Sequence, residues 1–197
     1  SATRGNMARP LKEMVPSMGP VGRSYPNFDP GERPWNRFGL FNCHAHNKLS
    51  MTVDLRRPEG REVLWDLART ADLFIENNAK ETMDQLGVTY GALRQARPDI
   101  IMIRMPAFGN TGPYKNYRAL GSMNESVAGH NTLRGYLGME PSWLTPVYAA
   151  DGAAGANAAF SALAALHYRK RTGKGQLIEV AQVESFLPYL SQALMDY

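Results

Sequence analysis

The chain has 197 residues, 44% of them hydrophobic and 20% charged, and carries a net charge of +4, which is ordinary for a globular protein with a sizeable core. Its Lys and Arg residues are scattered and form no basic block, so nucleic acid is not an expected partner, whereas a phosphorylated small molecule fits. The single cysteine, Cys43, excludes an internal disulfide framework and suits a reducing cytoplasm, and the longest weakly polar stretch, 152–166, is too short for a membrane span.

Residues 1–46 are rich in Pro, Gly and Arg without a sustained period, as in Met14-Val-Pro-Ser-Met-Gly-Pro. They read as an extended loop segment lying on something else. The start carries neither an initiator Met nor the apolar core of a signal peptide, so the chain reads as an internal fragment. From residue 47 the pattern tightens into a second region, 47–197. Leu49-Ser-Met-Thr-Val-Asp-Leu55 alternates as a strand does, and Pro58 opens a helix at its first position. Val63, Leu64, Leu67, Ala68 and Ala71 give that helix an apolar stripe. A further strand is expected at 72–76, helices at 80–86 and 89–96, and another strand at 100–105. This alternation predicts an α/β fold built on a parallel sheet.

A turn-rich stretch, Phe108-Gly-Asn-Thr-Gly-Pro-Tyr114, precedes a helix expected over 120–130. A Gly- and Pro-rich loop then leads to Asp151, where a long helix begins. That helix should run to about Arg171, with basic residues in its last turn and Gly173 beyond it as a C-cap. The Gly173-Lys-Gly-Gln run follows a helix and lacks phosphate-loop spacing, so it reads as a turn. A strand over 176–181 and helical structure over 182–197 complete the pattern. Cys43-His44-Ala-His46 offers adjacent ligands that cannot easily face one ion, and no second ligand pair follows, so no metal is expected and these are loop residues.

Several of these segments, taken together and in order, resemble the family III CoA-transferases. They are Asn47-Lys-Leu-Ser-Met-Thr-Val-Asp-Leu, Ala71-Asp-Leu-Phe-Ile-Glu-Asn77, Leu86-Gly, Phe108-Gly-Asn-Thr-Gly-Pro-Tyr114, Ala150-Asp151-Gly-Ala-Ala-Gly155 and Arg171-Thr-Gly-Lys-Gly-Gln176. The resemblance implies a partial Rossmann-like CoA-transferase domain and an activity that moves coenzyme A between an acyl-CoA thioester and a carboxylic acid. It makes acyl-CoA a substrate, with no permanently bound cofactor. It also implies an interlocked homodimer, or a heteromer with a related subunit, in the complete cytoplasmic enzyme. No membrane or nucleic-acid partner is implied.

By the same resemblance Asp151 is the nucleophile, passing through an aspartyl-CoA thioester. A carboxylate at a helix N-terminus suits the role, because exposed N–H groups and the helix dipole favour its ionised form. Gly152, Ala153, Ala154 and Gly155 leave room beside it for a bulky thioester. The plainer reading, that Asp151 is the N-cap of its helix, is compatible with this one. Arg56 and Arg118 fall where the family meets CoA phosphates, and Asn77 falls at the border of the adenine-ribose pocket. The chain departs from the family pattern after Asn77, where Asn78-Ala-Lys-Glu stands, and at Gln85, usually basic. Trp143, Pro146 and Tyr148 hint at an apolar acyl group. Two rival readings remain. One is an α-methylacyl-CoA racemase, for which 118–125 lacks the expected His and His130 comes late. The other is a non-catalytic CoA-binding subunit of a heteromeric transferase.

Overall fold

The structure, a computed structural model, describes residues 22–144 and 147–196. The first part of the expected loop, 1–21, and Pro146 lie outside them. The chain divides into two compact units, Ser1–Thr52 and Val53–Tyr197.

In the first unit, the expected extended loop is broken into short helical pieces. Two 3₁₀ turns, Gly22–Ser24 and Pro26–Phe28, precede helices α1 (Pro34–Arg37) and α2 (Gly39–His44). Pro26 and Pro34 each start a piece at the position where a missing N–H costs nothing. The Tyr25 ring, buried against Phe38 at 5.3 Å between centroids, holds two of the pieces together. Cys43 and His44 close α2 instead of sitting in a loop. The strand expected at 49–55 does not form, and its residues carry only coil and turn. Leu49 is fully exposed and Met51 half exposed, so their alternation buries no face.

The second unit holds α3 (Pro58–Thr70), β1 (Leu73–Glu76), α4 (Lys80–Gln85), α5 (Tyr90–Ala96) and β2 (Ile101–Arg104). It continues with α6 (Gly121–Val127), α7 (His130–Leu133), α8 (Ala149–Thr172), β3 (Leu177–Glu179), α9 (Gln182–Phe186) and α10 (Ser191–Met195). The strands form one parallel sheet in the order β1-β2-β3, with Leu73 opposite Ile101 and Met102 opposite Leu177. Ile101, Met102 and Ile103 are wholly buried, as expected of a central parallel strand covered on both faces. Their alternation sends Ile101 and Ile103 to Ala158, Ala165 and Val180, and Met102 to Ala68 and Leu93. Thus α8 covers one face while α3 and α5 cover the other. Alanines along α8 let that helix lie close to the sheet.

At the N-terminal edge of the strands, Arg169 of α8 donates to Asp72 at 2.7 Å and lies 3.6 Å from Asp99. Arg97 contacts the same two carboxylates, each at 3.0 Å. The Arg169 hydrogen bond holds Asp72 below the usual carboxylate range, and the Arg97 hydrogen bond does the same for Asp99. Groups with depressed folded values contribute stability that is complete above their unfolded value, about 3.9. That stability is lost as pH falls through the folded values. Denaturant midpoints should therefore fall as pH drops below about 4, and less steeply in the Asp72→Asn/Asp99→Asn double variant. Parallel curves for the two proteins would mean that the four-residue clamp contributes nothing.

Candidate active site at the start of helix α8

Because its last turn binds Asp72, just ahead of β1, α8 runs opposite to the strands. Its first turn therefore sits at their C-terminal edge, where open parallel sheets bind ligands. The helix has 24 residues, which makes it about 36 Å long. Acidic Asp151 stands in the first turn, and Arg169, Lys170 and Arg171 in the last, as the macrodipole favours. Gly173 ends it at φ 71°, as the C-cap reading expected.

Asp151 is not the N-cap. The cap position belongs to Tyr148, which is left-handed at φ 55°, ψ 33° and makes no side-chain capping bond, so Asp151 is the third helical residue. The loop turns into the helix two residues earlier than the sequence pattern indicated. The capping acceptor comes from another element: the Glu125 carboxylate on α6 accepts from the Ala149 N–H. Asp151 keeps the favourable field of the helix start without serving as its cap. Asp151 is exposed, and a side chain built at Gly152 or Gly155 would meet nothing within 4 Å. Ala153 and Ala154 instead face inward and are buried.

Helix α6 lies directly under this turn. Glu125 and Asn124 are both wholly buried. The Asn124 side-chain amide donates to Gln182 Oε1 at 3.0 Å, and Gln182 Nε2 donates to the Met105 carbonyl at 2.9 Å. The first turn of α8, which carries Asp151, is thereby tied to the end of β2 and to α9. His130 packs edge-on against Phe186, 5.1 Å between centroids, with Nδ1 3.9 Å from Glu125 Oε2.

Of the expected CoA contacts, Asn77 directly follows β1 and is exposed at the same edge of the sheet. Arg118 lies on the loop after β2 and pairs with Glu81 of α4. Arg56 precedes α3, and its guanidinium makes two hydrogen bonds to Asp54, at 2.9 and 3.1 Å, beside one from its backbone N–H. These bonds draw Asp54 below its ordinary value and raise Arg56. Each arginine already has a carboxylate partner that a phosphate would have to displace. The turn-rich loop is pinned by Glu179 of β3, which accepts from the Asn110 N–H at 2.8 Å. Phe108, Tyr114 and Tyr117 cluster on that loop at 5.5–6.3 Å between centroids. Among the described residues no group of three His, Cys, Asp or Glu could hold a metal ion, and no helix is long and apolar enough to cross a membrane.

Sequence reasoning passed over Gly121, Asn124, Glu125, Gln182 and the Glu76–Arg104 pair. One signal was available: two polar residues, Asn124 and Glu125, beside Met123 and Val127 in a short helix of unclear burial.

A parallel sheet with a solvent-facing carboxylate at its C-terminal edge defines an α/β domain shaped to meet a ligand there. The chain belongs to CoA-transferase family III, whose sequence model matches residues 17–197. It is 34% identical over 153 residues to the succinyl-CoA–D-citramalate CoA-transferase of Chloroflexus aurantiacus, covering 78% of this chain and 38% of that protein. It is 30% identical over 177 residues to the succinyl-CoA–L-malate CoA-transferase alpha subunit of Chloroflexus aurantiacus, covering 85% and 41% respectively. A CAIB/BAIF family protein from Brucella suis shares the fold with a TM-score of 0.72 at 34% identity, over 76% of this chain and 39% of that one. The chain thus spans about two-fifths of the length of these relatives.

Proposed function

We propose that the protein containing this chain transfers coenzyme A from an acyl-CoA thioester to a carboxylic acid, with Asp151 as the acyl acceptor. The observation that carries this reading is an exposed carboxylate in the first turn of α8, at the C-terminal edge of a family III sheet. An Asp151 oxygen attacks the thioester carbonyl and expels the CoA thiolate, leaving a mixed anhydride. The thiolate attacks the aspartyl carbonyl and releases the donor acid as carboxylate, leaving an aspartyl-CoA thioester. The acceptor carboxylate repeats the two steps in reverse, so Asp151 is regenerated with no net proton or electron consumed.

The names of the relatives support a carboxylic acid as acceptor, and one of them is called an alpha subunit. We assign the complete protein to a dimer with its own copy or a related chain. Exposed Tyr136, Leu137, Phe160 and Leu163 supply apolar surface for such contacts. A lone cysteine, exposed as a free thiol, suits a reducing cytoplasm. The test is mass spectrometry of the complete protein after incubation with a panel of acyl-CoAs. A CoA-sized or acyl-sized adduct on Asp151 supports the reading, and its absence across the panel counts against it.

Arg56, Asn77 and Arg118 are assigned to CoA, the arginines to its phosphates, where a planar fork pairs bidentately. Replacing either arginine by Ala should weaken CoA binding about tenfold, as for other charge-assisted contacts. For whichever residue meets the 3′-phosphate, the penalty should shrink with dephospho-CoA. Unaltered affinity in both variants would place the phosphates elsewhere.

A further inference from the structure

We infer that one face of α6, made by Gly121 and Glu125, is the seat that fixes the Asp151 carboxylate for attack; this rests on the reading of Asp151 as acyl acceptor. The two residues stand four apart and so share a face of their helix. Each meets the first turn of α8 in a different way. Gly121 supplies space: a methyl group there would lie 2.1 Å from Asp151 Oδ2, 2.5 Å from Cγ and 2.8 Å from Oδ1. The carboxylate therefore rests where any side chain at position 121 would be. Glu125 supplies the fastening, through its bond from the Ala149 N–H, two residues ahead of Asp151.

A stability role alone accounts poorly for Glu125. Its side chain is wholly buried, and its second oxygen, Oε2, has no hydrogen-bond partner. The facing His130 Nδ1, also buried, has none either. A buried carboxylate with an unsatisfied oxygen is costly, and in return it meets a single amide of the helix start. What Glu125 adds is a link across elements. With Asn124 bonded to Gln182 and Gln182 to the Met105 carbonyl, α6 locates the Asp151 turn relative to the sheet edge. Placement of a nucleophile matters at this level, since an error of about 1 Å can cost about 100-fold in rate.

The atoms that a methyl group at 121 would strike belong to the free end of a side chain, so rotation of Asp151 relieves the clash. Gly121→Ala should consequently fold, with CoA affinity unchanged, while the carboxylate is turned away. In the complete natural chain, kcat and the rate of adduct formation on Asp151 should drop about 100-fold with KM nearly constant. Wild-type rates in Gly121→Ala, with the adduct forming normally in wild type, overturn the seat and leave the acyl-acceptor reading standing. Absence of any adduct in wild type removes that reading and the seat with it. Should Gly121→Ala fail to fold, Glu125→Gln and Glu125→Asp decide the matter. Gln keeps an oxygen at the Ala149 N–H, whereas Asp withdraws it by about 1.5 Å, one C–C bond. The seat requires kcat to rank Gln well above Asp at equal CoA affinity, and equal rates overturn it.

Discussion

Asp151→Asn should abolish CoA transfer to within measurement, a loss of at least about 1,000-fold in kcat, while leaving the fold intact. The substitution keeps size and shape but replaces the attacking oxygen with an amide that cannot form the anhydride. Stability should change little. The residue is exposed and is not the helix cap, and a charge at a helix start is worth about 0.3–1 kcal/mol. In wild type, hydroxylamine or borohydride should trap the aspartyl thioester at Asp151, and the variant should show no such product. Near-normal transfer by Asp151→Asn, with a lowered melting temperature, would reduce the residue to a structural role. Exchange of the α-proton of a 2-methylacyl-CoA with solvent deuterium, without CoA transfer, would instead support the racemase reading.

The elements built by local periodicity were the legible ones. The apolar run of β2, the Pro58 start of α3 and the Gly173 end of α8 could each be read from neighbouring residues, and the structure places them within a residue or two. The segment at 49–55 misled because alternation reports an available face without saying whether anything covers it. With Leu49 and Met51 exposed, nothing among the described residues does. The cap misled in the opposite direction. An Asp before Gly and Ala is a common helix start, but here a buried Glu from 24 residues upstream meets the first amide. Tyr148 could then take a left-handed turn that no local signal announces. Asp151 was singled out through family resemblance, with its chemical role a proposal. The nearness of Gly121 and Glu125 to its turn was invisible, because it arises only when α6 and α8 pack.

The same limit applies to the most deeply buried ion pair among the described residues, and removing it should cost the fold most. Arg104 Nε donates to Glu76 Oε1 at 2.7 Å, with the two side chains 13% and 4% exposed. Glu76 also accepts from the Asn78 N–H at 2.8 Å, and Asp84 stands 3.7 Å from the same guanidinium. The pair joins the ends of β1 and β2, where Glu76 is in register with Arg104, so it sets the sheet edge from which the Asn77 and 108–120 segments depart. Taking away one member leaves the other charge stranded away from water. Arg104→Ala should therefore destabilise by about 3–5 kcal/mol, lowering the melting temperature by about 6–20 °C for a domain of this size. Glu76→Ala should cost somewhat less, because Asp84 remains to accompany Arg104. The Glu76→Ala/Arg104→Ala double variant should cost clearly less than the two single variants summed, since neither stranded charge remains. Denaturant unfolding of the four proteins completes the cycle. If the double variant is as unstable as the sum of the single ones, the two side chains are uncoupled and the edge of the sheet is held by its backbone ladder alone.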